Sequence, residues 1–309
     1  MPPKLLRIAV AASFAVAWVA GCSSKAPKPK IVTTVRAGLA PLPPARDGAY
    51  FGAEVDHPLT DLEGILGRKV DIAQVGLTWD QQFPKAADSA ALNGDRYLML
   101  SLTDGKTAFD DKAVAAGRYD QVIRQRAREI KAVHKPVFLR WQSDMDLTKS
   151  PTPAEHIAAW KHLRQLFKAE AADNVAWVWC PTAAGFGSSA AGYYPGDDQV
   201  DWICADAYLP AKAGYTELSA VLKPFLAWAA ERTKPIMIGW FGVPKSYGTR
   251  RAEWLRKAAQ ALQQPQIKAV VYDDATKSAV DGDTAAASAL RELATSPFFN
   301  PRNLPVQSG

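Results

Sequence analysis

Eight short apolar runs recur along the chain, at 49–54, 71–78, 96–102, 136–141, 174–180, 201–206, 235–240 and 267–272, with amphipathic stretches between most of them. Strands that alternate with helical patterns must pair in parallel, because each crossover returns the chain to the same end of the sheet. Eight such units predict a closed (β/α)8 TIM barrel of the α/β class, with any functional site at the C-terminal strand ends. An open, doubly wound sheet is the alternative, but no glycine-rich phosphate fingerprint follows the first run. A length of 309 residues, 48% of them hydrophobic, suits one large domain better than two small ones.

The helical patterns carry their own boundaries. Residues 119–133 place Val122, Ala127, Ile130 and Val133 on one stripe. The stretch 153–172 begins with Thr152 as N-cap and Pro153 in the first turn. Pro224 should kink the helix around it. Between the fifth and sixth runs lies PTAAGFGSSAAGYYPGDDQV, a long Gly/Ser/Tyr loop that is expected to be functional or a structured cover.

The first residues read differently. Lys4 and Arg7 precede an apolar stretch, Ile8 to Val19, which is too short to span a bilayer and ends in Ala20-Gly21-Cys22. This reads as a secretory signal over 1–21. A cysteine directly after small residues resembles the bacterial lipobox, which implies cleavage before Cys22 and lipid on its sulfur. The alternative is a secreted protein with an incidental cysteine. Residues 22–46 are rich in proline and lysine and read as a tether, 47–300 as the barrel and 301–309 as a C-terminal tail. The expected location is therefore a membrane, at the cell surface or its periplasmic face, through a lipid anchor.

Charge excludes one class of partner. The formal net charge is +6, but Lys4, Arg7, Lys25, Lys28, Lys30 and Arg36 all lie in the leader and tether. Without those six, the 37 basic residues fall to 31, equal to the 31 acidic ones. A balanced domain without a basic, aromatic-interleaved stripe is not a nucleic-acid binder. Cys180 and Cys204 end neighbouring runs; in an exported protein they either pair or stay as two buried thiols, and sequence supplies no Cα separation to decide.

Four segments in order carry a family resemblance: GRYDQVIRQRAREIKAVHKPVFLRW, AAWKHLRQLFKAEAADNVAWVWCP, YYPGDDQVDWICADAY and KPIMIGWFG. Together they resemble glycoside hydrolase family 26, the retaining β-mannanase family of (β/α)8 barrels, most densely from Gly117 to Asp274. The resemblance implies a His-Glu-Met-Asn pattern after the fourth strand, its glutamate the acid/base. Here the residues are Ser143-Asp144-Met145-Asp146. It implies a nucleophilic glutamate after the seventh strand, where this chain reads Gly239-Trp240-Phe241-Gly242.

Chemistry weighs those departures. A retaining glycosidase needs two carboxyl groups about 5–5.5 Å apart, one to attack and one to protonate the leaving oxygen. Asp144 is shorter by one methylene, roughly 1.5 Å, and a misplacement near 1 Å can cost about 100-fold. Indole offers no lone pair for attack, so Trp240 forms no glycosyl-enzyme. An inverting mechanism would need a base roughly 6.5–9.5 Å from the acid. Glu54, Asp104, Asp206, Asp273 and Asp274 all fall at strand ends, each with a structural role also open to it, such as pairing with Arg140.

Aromatic residues point to a groove that holds sugar, since indole stacks on the C–H faces of pyranose rings while polar side chains bond the hydroxyls. Trp79, Trp141, Trp179 and Trp240 fall at or near strand ends, and with Arg140, Asp206 and Tyr208 they form the expected binding set. Trp177, Trp202 and Trp228 read as packing, and Tyr208 is expected to bond Asp144 or a ligand. His134, His156 and His162 read as capping or snorkelling residues. His57 has no second histidine at ligand spacing, so neither a metal nor another cofactor is expected. The sequence thus predicts an anchored barrel, impaired in catalysis, that binds a polysaccharide or cell-envelope glycan. Its rivals are an active hydrolase using Asp144 and a scaffold that meets protein partners of a polysaccharide system.

Overall fold

The computed structural model describes residues 39–307, apart from 86–87, 105–108, 148–150, 210–213 and 276. The predicted signal, Cys22 and most of the tether lie outside the described residues. Among those described, no helix is long and apolar enough to cross a membrane.

Eight parallel strands close into a barrel in chain order: β1 Tyr50–Val55, β2 Ile72–Thr78, β3 Tyr97–Thr103, β4 Val137–Trp141, β5 Val175–Trp179, β6 Trp202–Asp206, β7 Ile236–Phe241 and β8 Ile267–Asp274. The helices are α1 Leu59–Leu66, α2 Ser89–Leu92, α3 Asp111–Ala115, α4 Asp120–Ala132, α5 Pro153–Ala169, α6 Leu218–Ala229, α7 Arg251–Leu262 and α8 Thr284–Thr295. All eight expected strands form. No α-helix follows β5; there the Gly/Ser/Tyr loop makes two 3-10 turns, Ala184–Gly187 and Ala190–Tyr193, and covers the sheet itself. Phe186 and Tyr194 of this loop pack on Trp179 and on Trp228 of α6.

Side chains alternate across each strand, so every second residue enters the lumen. Tyr50, Ile72, Met99, Phe138, Val178, Trp202, Met237 and Val271 fill the barrel, while Val137, Leu139 and Trp141 face the helices. Lumen residues turn polar toward the C-terminal ends, ending in Glu54, Gln74, Ser101, Arg140, Asp206 and Asp273. That switch separates a packed core from a site.

Local chemistry fixes the helices. Thr152 caps α5 in a full capping box, accepting from the Glu155 N–H while Glu155 returns to the Thr152 backbone, with Pro153 in the first turn. On α4 the buried stripe is Ile123, Arg126, Ala127 and Ile130, and Val122 is 41% exposed, against expectation. Arg126 takes the inward position because its guanidinium bonds the carbonyls of Thr78, Trp79 and Gln81. The helix α6 runs through Pro224, which sits on the exposed face, where the missing N–H costs no buried bond.

Both ends of the expected barrel are held to it. Arg46 donates to the Asn300 carbonyl, and the Tyr50 hydroxyl to the Leu42 carbonyl, so the last tether residues already dock. Arg302, 3% exposed, pairs with Asp95 and lies 3.5 Å from Asp71. The segment after 300 is in this way part of the floor of the barrel.

Candidate functional site

Two irregularities at the C-terminal strand ends build the site. The first is on β7. Its pairing jumps from Ala205–Ile238 to Asp206–Trp240 on one side and from Ile238–Val270 to Phe241–Tyr272 on the other. Both neighbours therefore see one extra residue in β7, a β-bulge at Gly239-Trp240. A bulge re-aims a side chain, and here it turns Trp240 to the mouth while Phe241 stays outside against Tyr272. Gly239 is required by close approach: a Cβ there would lie 2.5 Å from Cys204 Sγ, 2.7 Å from Asp206 Oδ1 and 2.8 Å from Cys180 Sγ.

The second irregularity follows β4, where Gln142 and Asp144 take φ of 44° and 61°. Left-handed non-glycine residues are uncommon, and two within three positions indicate backbone held by its surroundings. The Asp144 N–H bonds the Cys180 carbonyl at 3.0 Å. Asp146, next along, accepts from Thr182 N–H at 2.9 Å and Thr182 Oγ1 at 2.6 Å, tying this turn to the loop after β5.

Inside the mouth, Arg140 Nη1 donates to both Asp206 oxygens at 2.8 Å and Nε to Ser101 Oγ at 2.9 Å. The Tyr208 hydroxyl donates to Asp144 Oδ2 at 2.7 Å, and its ring rests on Trp240 with centroids 4.5 Å apart. Asp144 Oδ1 is buried and has no donor, and the Asp144 carboxyl is electrostatically coupled to that of Asp206. Neighbouring carboxyl groups each disfavour the other's charged form. Burial pushes Asp206 well above the usual carboxylate range and pushes Asp144 up as well. Arg140 opposes both shifts, drawing the two carboxyls down.

The other strand-end acids have separate tasks. Glu54 accepts from Gln74 at 2.6 Å, and burial raises it. Asp274 is fully buried, 3.0 Å from His57 Nε2 and accepting from Val280 N–H at 2.9 Å. Burial raises Asp104, against the pull of the neighbouring Phe109 backbone and Gln142 side chain. Asp273, 6% exposed and raised by burial, accepts from Ser278 and lines a cleft.

That cleft holds about 1030 Å³ and lies between the loops after β6, β7 and β8, with Trp240, Tyr208, Tyr247 and Asp273 on its walls. Sequence reasoning did not find its rim. Lys245, Tyr247, Arg250 and Lys277 sit in loops with no periodicity to place them.

Of the predicted binding set, Trp240, Tyr208, Arg140 and Asp206 gather with Asp144 at the mouth, whereas three tryptophans do not. Trp79 is 4% exposed and stacked on Phe109; Trp141 is fully buried and stacked on His156; Trp179 is fully buried among Phe186, Tyr194 and Trp228. Strand parity is the reason: Arg140 and Val178 point inward, so Trp141 and Trp179 face the helices. His156, expected on a helix surface, is also fully buried, with Nδ1 3.0 Å from Asp111. Cys180 and Cys204 form a disulfide beneath Asp206. Those three residues cluster closely enough for a metal. With the sulfurs joined and Asp206 held by Arg140, they offer no free thiolate to bind one.

Comparison with known proteins agrees with this architecture. Residues 105–245 match glycosyl hydrolase family 26. The chain is 25% identical over 281 residues to Endoglucanase H of Acetivibrio thermocellus, covering 82% of this chain and 31% of that protein. It is 29% identical over 132 residues to Beta-1,3-xylanase TXYA of a Vibrio species, covering 40% of this chain and 27% of that protein. It thus spans about a third or less of the length of these relatives. An endo-β-1,4-mannanase from Cellulomonas fimi superposes with a TM-score of 0.63 at 18% identity, over 81% of this chain and 71% of that one. A GH26 β-mannanase from Bacteroides ovatus gives 0.63 at 14% identity, over 82% and 90%. Over residues 105–245 the chain is thus similar to glycosyl hydrolase family 26, and its barrel has the fold of the superposed mannanases.

Proposed function

We propose that this family 26-like barrel binds a polysaccharide or cell-envelope glycan at a membrane surface, anchored by lipid on Cys22, and that it has lost retaining hydrolysis. One observation carries the reading. The β7 bulge delivers an indole to the mouth, at the place where the resemblance implies an attacking carboxylate, and it does so beside an open cleft of about 1030 Å³. An indole face offers stacking where no bond to an anomeric carbon can form. The nearest acid pair does not replace the lost one. Asp206, the acid coupled to Asp144, is fully buried and held by Arg140, so it is not free to attack a sugar carbon. The open cleft favours binding over a purely structural scaffold, and the names of the relatives, endoglucanase and β-1,3-xylanase, favour a β-linked glycan.

The full-length protein in detergent is tested against β-linked glycans, neutral and charged, for affinity and for release of reducing ends. Binding without turnover is expected. Trp240→Ala should weaken it by roughly 5- to 150-fold, the loss of one stacked ring, while the melting temperature stays near the parent's. Turnover that disappears in Asp144→Asn would instead establish an active hydrolase, with Asp273, which lines the cleft, the candidate for its base. A Trp240→Ala variant that unfolds, or binds every glycan as before, would make the indole a structural plug and leave the scaffold reading.

A further inference from the structure

The cleft beside Trp240 is charged in a way the domain around it is not. From Ala37 onward, acidic and basic residues balance. Around the cleft, Lys245, Arg250 and Lys277 are all exposed, and Asp273, at 6% exposure, is the sole acid among the described lining residues.

The cations are positioned by the fold. The Lys245 N–H bonds the Lys277 carbonyl at 2.8 Å, which stitches the loop after β7 to the loop after β8 and sets both lysines on one rim. Arg250 joins them from the turn before α7, its guanidinium 4.6 Å from the Tyr215 ring centroid and 5.9 Å from that of Tyr247. Stacking of this kind fixes the direction of a long side chain without consuming its N–H donors. The Lys245 ammonium lies 3.4 Å from Asp281, but both groups are largely exposed, and the ammonium keeps donors for a second acceptor. Aromatic faces for sugar rings and spaced cations for their substituents therefore line the same walls.

We infer that this cleft selects an acidic glycan, its sugar rings against Trp240 and Tyr208 and its anionic groups against Lys245, Arg250 and Lys277. The inference rests on the glycan-binding reading and deepens it. Carboxylate and sulfate would both meet these cations, so the test carries an arm for each.

Affinities of the full-length protein are measured for mannuronan and mannan oligosaccharides of equal length, which share a β-1,4 backbone and differ in the C6 carboxylate. Dextran sulfate and dextran form the second pair. Support is an affinity roughly 10-fold or more higher for a charged member than for its neutral counterpart. That preference should shrink as NaCl rises from about 0.1 M to about 1 M, where screening contracts from about 10 Å to about 3 Å. Lys245→Gln with Lys277→Gln should weaken the charged ligand by roughly 2- to 30-fold, the range for two exposed ion pairs, and leave the neutral one unchanged. Both side chains are exposed, so the melting temperature should not move; Arg250→Gln is the second variant, read only with its melt. Equal, salt-independent binding of charged and neutral members would overturn the inference while leaving the glycan reading intact. Binding to none of the four would overturn both.

Discussion

Replacing Arg140 with methionine would test the electrostatics of the mouth. Arg140 is 5% exposed and Asp206 fully buried, with both carboxylate oxygens 2.8 Å from one guanidinium nitrogen. Methionine keeps the stem and removes the cation, which leaves Asp206 beside Asp144 without a counter-charge. Removing one partner of a buried pair costs about 3–5 kcal/mol, because the remaining charge has no solvent to return to. At roughly 2–4 °C per kcal/mol for a domain of this size, the melting temperature should fall by roughly 6–20 °C near pH 8. The sign with pH follows from linkage. Burial already raises the Asp206 pKa above its unfolded value, and losing Arg140 raises it further. A carboxyl raised in the folded state is harmless while protonated, so the stability is present at low pH and lost as pH rises through the folded-state value. The deficit of Arg140→Met should therefore shrink toward pH 5 and grow toward pH 8, measured by urea unfolding across that range. Adding Asp206→Asn should recover much of it, since the carboxamide needs no cation. An equal deficit at both pH values, or no recovery in the double variant, would refute the buried-charge account and point to lost packing.

The β7 bulge and the anchor each yield a shorter test. Gly239→Ala would put a methyl 2.5 Å from Cys204 Sγ and 2.7 Å from Asp206 Oδ1, and overpacking of this kind costs roughly 1–3 kcal/mol. A Gly239→Ala protein that melts with the parent would mean the bulge packs less tightly than these distances require. Cys22→Ala should move the protein from the membrane to the soluble fraction, because lipid on that sulfur is the proposed anchor; unchanged fractionation would refute lipid anchoring through that residue.

The barrel was legible in the chain because its signals are local. Eight apolar runs of strand length, Thr152 and Pro153 at the start of α5, and the Gly/Ser/Tyr loop that replaces a helix after β5 are all contiguous stretches read by period and composition. Asp144, just after β4, and Trp240, near the end of β7, came to notice through the contiguous segments that carry the family resemblance. Placing them took the tertiary structure. Strand parity sends Trp141 and Trp179 outward, a rule the sequence could have applied once Arg140 was taken as inward. The bulge that brings Trp240 inward is different. It appears only as a slip of register against β6 and β8 together, and it depends on Gly239 meeting two sulfurs and a carboxylate from β5 and β6. The ion pair of Arg140 with Asp206, the bond from Tyr208 to Asp144 and the rim shared by Lys245 and Lys277 likewise join segments far apart in sequence. Periodicity reports which face of an element is buried. It carries no information on which loops meet at a barrel mouth, because that is set by closure of the whole sheet.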